Sequence, residues 1–190
     1  MRARLEFPGT IKGDGIHLRR FSLADIDAVL DAAKDPYSFR GFNVPTDGDR
    51  ANAARYVGLN DSAWNTGYVF PLAIVDDASG KTVGMRQIGA LHYFQGRVTV
   101  GCWVAPSFRR NGYSLRSMNA VTKWLGEQPG VYRVDAFVEM WNTASCAVLE
   151  RAGFEREGVL RNWEVLRGKP RDMFSYVWIP DNCAETSEEL

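Results

Sequence analysis

The chain of 190 residues reads as one mixed α/β domain, and three observations carry that reading. Short apolar, β-branched runs recur between stretches whose apolar residues fall three or four apart, so strand and helix periods alternate along the chain. One helical stretch joins two strand-like runs in its centre, which is the connection that parallel neighbours require. No internal repeat and no linker interrupts residues 1–179, while the acidic, polar residues 180–190 read as a disordered tail. A domain of this size buries about 70% of the surface its unfolded chain exposes.

The elements follow in order. Ile16-His17-Leu18-Arg19 alternates as a short strand. Ser22-Leu23-Ala24-Asp25 is a capping-box pattern ahead of Ile26, Val29, Leu30 and Ala33, one apolar helical stripe that ends at Asp35-Pro36. Residues 37–49 hold Phe39, Gly41, Phe42, Pro45 and Gly48 without a period and read as a long loop, a common site of binding elements. A second helix is expected over residues 50–64. Residues 68–75 and 82–91 are strands joined by the turn Asp76-Asp77-Ala78-Ser79-Gly80-Lys81.

The centre of the chain is residues 98–125. Val98-Thr99-Val100-Gly101-Cys102-Trp103-Val104 is too short for a lone helix and reads as a strand buried on both faces. Ala105-Pro106-Ser107 stops it, because proline cannot donate to a ladder. Phe108-Arg109-Arg110-Asn111-Gly112-Tyr113-Ser114 then leads into Leu115, Met118, Val121, Thr122 and Leu125, one face of a helix. A helix start has free N–H donors and a positive dipole end, Gly112 lets a ligand approach the backbone, and Arg109 and Arg110 add charge. Taken by itself, this turn is either a phosphate cradle or an ordinary strand-to-helix turn with solvated arginines.

Beyond it, residues 132–138 alternate as a strand. Asn142-Thr143-Ala144-Ser145 opens a short helix with Asn142 as N-cap, and Gly153 with Phe154 ends it in a Schellman arrangement. Residues 156–165 and 171–178 form a last hairpin around Gly168-Lys169-Pro170.

Composition narrows the function classes. Twenty-three basic and 23 acidic residues balance, so bulk charge drives no nucleic-acid binding. Cys102, Cys146 and Cys183 are odd in number and have no metal spacing, which fits reduced thiols in a cytoplasmic protein. Residues 1–8 lack the apolar core of a signal peptide. No run approaches about 18 apolar residues, so neither a membrane span nor a membrane partner is expected.

Residues 104–114 resemble the acyl-CoA pyrophosphate loop of the GNAT acetyltransferases, Arg/Gln-x-x-Gly-x-Gly/Ala. Asn142-Thr143-Ala144-Ser145 with Leu149-Glu150-Arg151-Ala152-Gly153-Phe154 is similar to that family's second signature. Glu157-Gly158-Val159-Leu160-Arg161 and Gly168-Lys169-Pro170-Arg171-Asp172 resemble its Rim-type branch of ribosomal-protein alanine and serine N-acetyltransferases. The likeness covers residues 15–179. It implies a GNAT fold: a twisted, mostly antiparallel mixed sheet with flanking helices, whose central strand and its parallel neighbour splay into a V for the pantetheine arm.

The resemblance also assigns roles. Acetyl-CoA is the implied co-substrate, its pyrophosphate held by backbone N–H groups of Arg109, Arg110, Asn111, Gly112, Tyr113 and Ser114. Cys102, Trp103 and Val104 would offer main-chain bonds to pantetheine while their side chains serve the core. Asn142 would contact the cofactor, although capping alone accounts for it. Ser145 would protonate the departing thiolate, and Glu164, in Asn162-Trp163-Glu164-Val165, would act as general base. Two loop positions depart from the family: Arg110 replaces a small residue or glycine, and Ser114 replaces the final Gly/Ala. Thr99 stands where many relatives carry a glutamate, which leaves Glu139 and His92 as competitors for the base. The implied reaction is acetyl transfer to an amine by direct attack in a ternary complex, most simply to a protein N-terminal α-amine, by a monomer or homodimer. A small amine such as an antibiotic or polyamine is the alternative acceptor, and a non-catalytic acyl-CoA-binding module is the alternative class.

Overall fold

The computed structural model describes residues 5–35, 42–166 and 168–181. Its elements are β1 (Thr10–Lys12), β2 (Ile16–Arg20), α1 (Ile26–Ala32), α2 (Arg50–Trp64), β3 (Val69–Asp76), β4 (Thr82–Gly89), β5 (Arg97–Val104), α3 (Tyr113–Gly126), β6 (Arg133–Glu139), α4 (Thr143–Arg151), β7 (Glu155–Leu166) and β8 (Lys169–Trp178). The expected strands and helices are present with ends shifted by a residue or two, and β1 is an addition. Phe39 and Cys183 lie outside the described residues, as do Pro36 of the expected helix end, residues 37–41 of the expected loop and all but the first two residues of the expected tail.

The strands form one eight-stranded sheet in the order β1-β2-β3-β4-β5-β6-β8-β7. Every neighbouring pair is antiparallel except β5 and β6, the pair joined through α3. Only Arg97↔Arg133, Val98↔Val134 and Thr99↔Asp135 are paired there. Beyond them β6 continues along β8 and β5 along β4, so the two parallel strands part company. That is the V the resemblance implied.

Helices cover both faces. Met118, Val121, Trp124 and Leu125 of α3 and Leu149 of α4 join one buried cluster, and Ile26, Val29 and Ala32 of α1 with Ala53, Tyr56 and Val57 of α2 join the other. The period of two decides which strand residue goes where: Leu72 and Ile74 of β3 enter the first cluster, Ala73 and Val75 the second. Local chemistry sets the helix ends. The N–H of Ser22 donates to Asp25 Oδ2 at 2.7 Å, the N–H of Ala51 to Asp49 Oδ1 at 2.9 Å, and the N–H of Ser145 to Asn142 Oδ1 at 3.1 Å. At the far end of α4, Gly153 takes φ 83° and the N–H of Phe154 reaches the Leu149 carbonyl at 3.0 Å, the Schellman ending expected.

One expectation fails. β5 is not buried on both faces: Val98, Val100 and Trp103 are buried, but Thr99, Gly101, Cys102 and Val104 keep partial exposure. The physical reason is the missing neighbour past Thr99, which leaves one strand edge open. Phe42 covers part of that stretch, its ring filling the space a side chain at Gly101 would need, 2.7 Å from an ideal Cβ.

Candidate active site

The turn between β5 and α3 is built to present donors. A one-turn 3-10 segment, Pro106–Phe108, ends at Arg109. Arg110 and Gly112 then take left-handed backbone, φ 64° and 76°, and Gly112 is the N-cap of α3. The carbonyls are turned inward and occupied: Asn111 Nδ2 donates to the carbonyls of Phe108 and Arg109, each at 3.2 Å, and Arg116 Nη2 donates to that of Asn111 at 3.0 Å. The N–H of Arg109, expected among the diphosphate donors, is spent on the Pro106 carbonyl at 3.3 Å, whereas those of Arg110, Asn111, Gly112, Tyr113 and Ser114 meet no acceptor among the described residues. A run of unspent donors at a positive helix end suits a diphosphate. Gly112 leaves room for one, since an ideal Cβ there meets nothing nearer than Arg116 Nε at 3.8 Å.

The left-handed backbone at Arg110 explains why a small residue or glycine is common there, and the Arg110 side chain is exposed. Ser114 packs as its size suggests, with its hydroxyl 3.8 Å from Cys102 Sγ. Arg109 behaves differently from the expectation of a phosphate-facing charge. Its Nε donates to the Val104 carbonyl at 3.1 Å and its Nη2 to the largely buried carboxylate of Asp35. Arg109 therefore ties the turn to the segment after α1, and Asp35 offsets its charge. Val104, expected to serve pantetheine through its main chain, spends at least one carbonyl lone pair on Arg109.

Across the V, Glu139, Met140, Trp141, Pro170, Arg171 and Asp172 line an open cleft of about 390 Å³ at the end of β6. Glu139 Oε1 lies 3.7 Å from Arg171 Nε. Glu164 is paired with Arg171 across the β7–β8 ladder, beside an irregularity in which Asn162 takes φ 51°. The Glu164 residue surface is exposed, yet enough protein surrounds its carboxyl to matter. Partial burial first, and the charge of Glu139 second, push that carboxyl above the usual carboxylate range. Glu139 and Asp172 thus line the cleft and Glu164 lies near Glu139, with the Trp163 ring 5.0 Å from Phe137. His92 is not among them. It is exposed in the turn that leads into the paired end of β5, at the end opposite the open V.

Ser145 is half-buried in the first turn of α4, where Asn142 takes its backbone N–H. The cap uses the Asn142 carbonyl oxygen, so its amide nitrogen still has hydrogens to donate. The next residue, Cys146, lies against Tyr176, whose hydroxyl also donates to Glu150 Oε1 at 2.8 Å. Burial, then those two neighbours, hold the Tyr176 phenol above its ordinary range, and the contacts bind α4 to β8.

Two arginines of the site were missed in the sequence. Arg116 braces the 110–114 turn from one helical turn on, and its spacing of four from Gly112 was a legible signal. Arg86 sits on β4 opposite Cys102, 1% exposed. Its Nη2 donates at 2.8 Å both to the Ser114 carbonyl and to Ser117 Oγ. Burial draws its guanidinium below the usual arginine range, with Cys102 opposing.

Residues 16–155 match the family model described as an acetyltransferase (GNAT) domain. The uncharacterized N-acetyltransferase p20 of Bacillus licheniformis is 20% identical over 167 residues, which cover 88% of this chain and 94% of that protein. Among solved structures, RimL, a ribosomal L7/L12 alpha-N-protein acetyltransferase in complex with coenzyme A, superposes with a TM-score of 0.77 at 21% identity, covering 90% of this chain and 98% of its own. The microcin C7 self-immunity acetyltransferase MccE, in complex with acetyl-CoA and AMP, gives 0.78 at 20% identity over 91% and 97%.

Proposed function

The chain belongs to the GNAT acetyltransferase family, and from that premise we propose that it acetylates the N-terminal α-amine of a protein or peptide. It is an acyl-CoA-dependent N-acetyltransferase with acetyl-CoA as co-substrate. The observation that carries the finer reading is the pair of features flanking the open end of the β5–β6 V. Unspent N–H groups of residues 110–114 stand on the β5 side, and the cleft of Glu139, Arg171 and Asp172, with Glu164 close to Glu139, on the β6–β8 side.

In this reading the turn holds the diphosphate, and the free edge of β5 past Thr99 takes the pantetheine arm, with Cys102 and Trp103 supplying main-chain groups. The acceptor amine enters beside Phe42. The reaction forms an N–C bond to the acetyl carbonyl and breaks its C–S bond. The amine must first lose a proton, and Glu164 takes it, directly or through water; a carboxyl raised above its usual range holds a proton better than an ordinary one. Ser145 donates a proton to the departing thiolate, and a backbone N–H of β5 polarises the carbonyl oxygen.

The acceptor follows from proton cost. A free α-amine has a pKa of about 7.7–8.0 against about 10.4 for lysine, so lysine is roughly 3–4 kcal/mol harder to deprotonate at neutral pH. Glu139 and Asp172 are the acids lining the cleft, with Arg171 beside them, and Glu164 lies near enough to feel the charge of Glu139. That set asks for the easier amine, and the superposition on RimL agrees in fold.

Peptides beginning with Ala or Ser test the proposal against the same peptides with a blocked terminus and a free lysine, alongside an aminoglycoside and a polyamine. Product mass mapping is expected to place acetyl on the free terminus. Acetylation confined to lysine or to a small amine refutes the α-amine reading. Ser145→Ala and Glu164→Gln are each expected to lower turnover by about tenfold to a thousandfold at near-constant acetyl-CoA affinity. A Ser145→Ala protein that melts lower yet turns over normally per folded molecule removes the acid role.

A further inference from the structure

Arg86 lies in the middle of β4, where its neighbours Met85 and Ile88 are core residues, and it is 1% exposed. Arginine is rarely buried to that degree without an acid beside it, because an unpaired charge in a low-dielectric interior is costly. Among the described residues no carboxylate pairs with it. Its Nη2 is satisfied by two neutral oxygens, Ser114 O and Ser117 Oγ, and its Nη1 faces Met118 Sδ at 3.6 Å. Its Nε is buried without an acceptor. The Ser117 hydroxyl donates in turn to the Ser114 carbonyl at 3.0 Å, so the guanidinium and the first turn of α3 form one network.

Two facts on the outer side of that turn give the network a direction. The N–H groups of residues 110–114 are unspent, and the charge of Arg109 is offset by Asp35. Asp76, hydrogen-bonded to the Tyr113 hydroxyl, in turn offsets part of the charge of Arg116, so the positive field at the turn comes from Arg110, the remainder of Arg116 and, from beneath, Arg86. A buried cation behind a row of open donors is a site whose anion arrives from solution.

We propose that Arg86 is a positioning residue for the acyl-CoA diphosphate: its guanidinium, buried under the first turn of α3 without a carboxylate partner, fixes Ser114 and Ser117 and finds its counter-charge in the diphosphate at the 110–114 turn. This inference rests on the acetyl-CoA reading above and adds a residue outside the loop. In the free protein Arg86 is a burden on stability. In the complex it strengthens the hold on the anion through the interior, where water screens poorly.

The test compares two ligands on the wild type and on Arg86→Met, which keeps the volume roughly and removes the charge. Calorimetric titration with acetyl-CoA is expected to show affinity about tenfold to a hundredfold weaker in the variant, the scale of one charge-assisted contact. S-acetylpantetheine, which has no diphosphate, is expected to bind both proteins within about threefold, a difference under one kcal/mol. The melting temperature of the free variant is expected to equal or exceed that of the wild type, since an unpaired buried charge has been removed. A purely structural Arg86 would weaken both ligands alike and lower the melting temperature, and that result overturns the proposal, as does unchanged acetyl-CoA affinity. If Arg86→Met does not fold, Arg86→Gln decides the matter in the same way, because its amide can still donate to Ser114 while carrying no charge. A wild type that binds neither ligand strikes the acetyl-CoA reading itself rather than the role of Arg86.

Discussion

Gly112→Ala separates what the loop does for the fold from what it does for the ligand. Gly112 holds φ 76° and ψ 0° at the N-cap of α3. An L residue in that region costs about 1–2 kcal/mol. Among the described residues nothing else opposes the new methyl, whose nearest neighbour is Arg116 Nε at 3.8 Å, an ordinary contact. The stability loss is therefore strain alone, which for a domain of this size lowers the melting temperature by about 2–8 °C. The methyl adds bulk beside five unspent N–H groups, where the diphosphate is expected, so acetyl-CoA affinity falls by at least about a hundredfold, nearly 3 kcal/mol. Differential scanning fluorimetry reads the first quantity and calorimetric titration the second. A folded Gly112→Ala protein with wild-type affinity would refute the loop assignment. Arg110→Gly is the converse control: Arg110 carries the same kind of strain at φ 64°, and glycine there is expected to raise stability by about 1 kcal/mol.

Three further outcomes follow. Asp135, 1% exposed, stands at the last β5–β6 pair, 3.0 Å from Arg97 and 2.6 Å from Arg133. Asp135→Ala is expected to cost about 1–3 kcal/mol, less than a wholly buried pair because both arginines reach solvent; an unchanged urea midpoint would contradict this. The raised carboxyl of Glu164 means that the folded protein holds this proton more tightly than the unfolded chain does. Ionised Glu164 therefore costs stability, a cost that appears as pH rises through the unfolded carboxyl range and is complete above the folded value. Glu164→Gln is expected to melt no lower than wild type at pH 7, any gain vanishing in acid. Glu139→Gln is expected to move the acidic limb of kcat/KM downward, and a limb that stays in place excludes their coupling.

How much of this was legible depends on how local the cause is. The cap at Asn142, the Schellman ending at Gly153 and the glycine-bearing turn before α3 are short-range chemistry, and each stands where the residues placed it. The parallel β5–β6 pair followed from the helix between them. The V did not follow, because nothing in residues 97–104 or 133–139 says that pairing stops at Thr99. That stop is visible only in the ladder. For the same reason β5 looked buried on both faces. Its apolar composition belongs to a strand that loses a neighbour halfway along.

The charges are where sequence reading went furthest astray, and the cause is sequence distance. Arg109 and Arg110 look alike in the sequence, yet Asp35, 74 residues earlier, neutralises the first. What remains of the loop's field comes partly from Arg86, 28 residues before Ser114, at a strand position that reads as one polar residue among alternating ones. A count of charges near Gly112 thus includes an arginine that is already paired and omits one that is not. The same correction applies at the acceptor side. Glu139 and Glu164 stand 25 residues apart in the chain, but β6 and β7 lie on either side of β8, which brings the carboxylates close enough to repel. A lone glutamate on an exposed hairpin would be a poor base. With Glu139 across β8 and protein around its carboxyl, Glu164 holds a proton more tightly than an ordinary carboxylate, which is the direction its proposed role as base asks for.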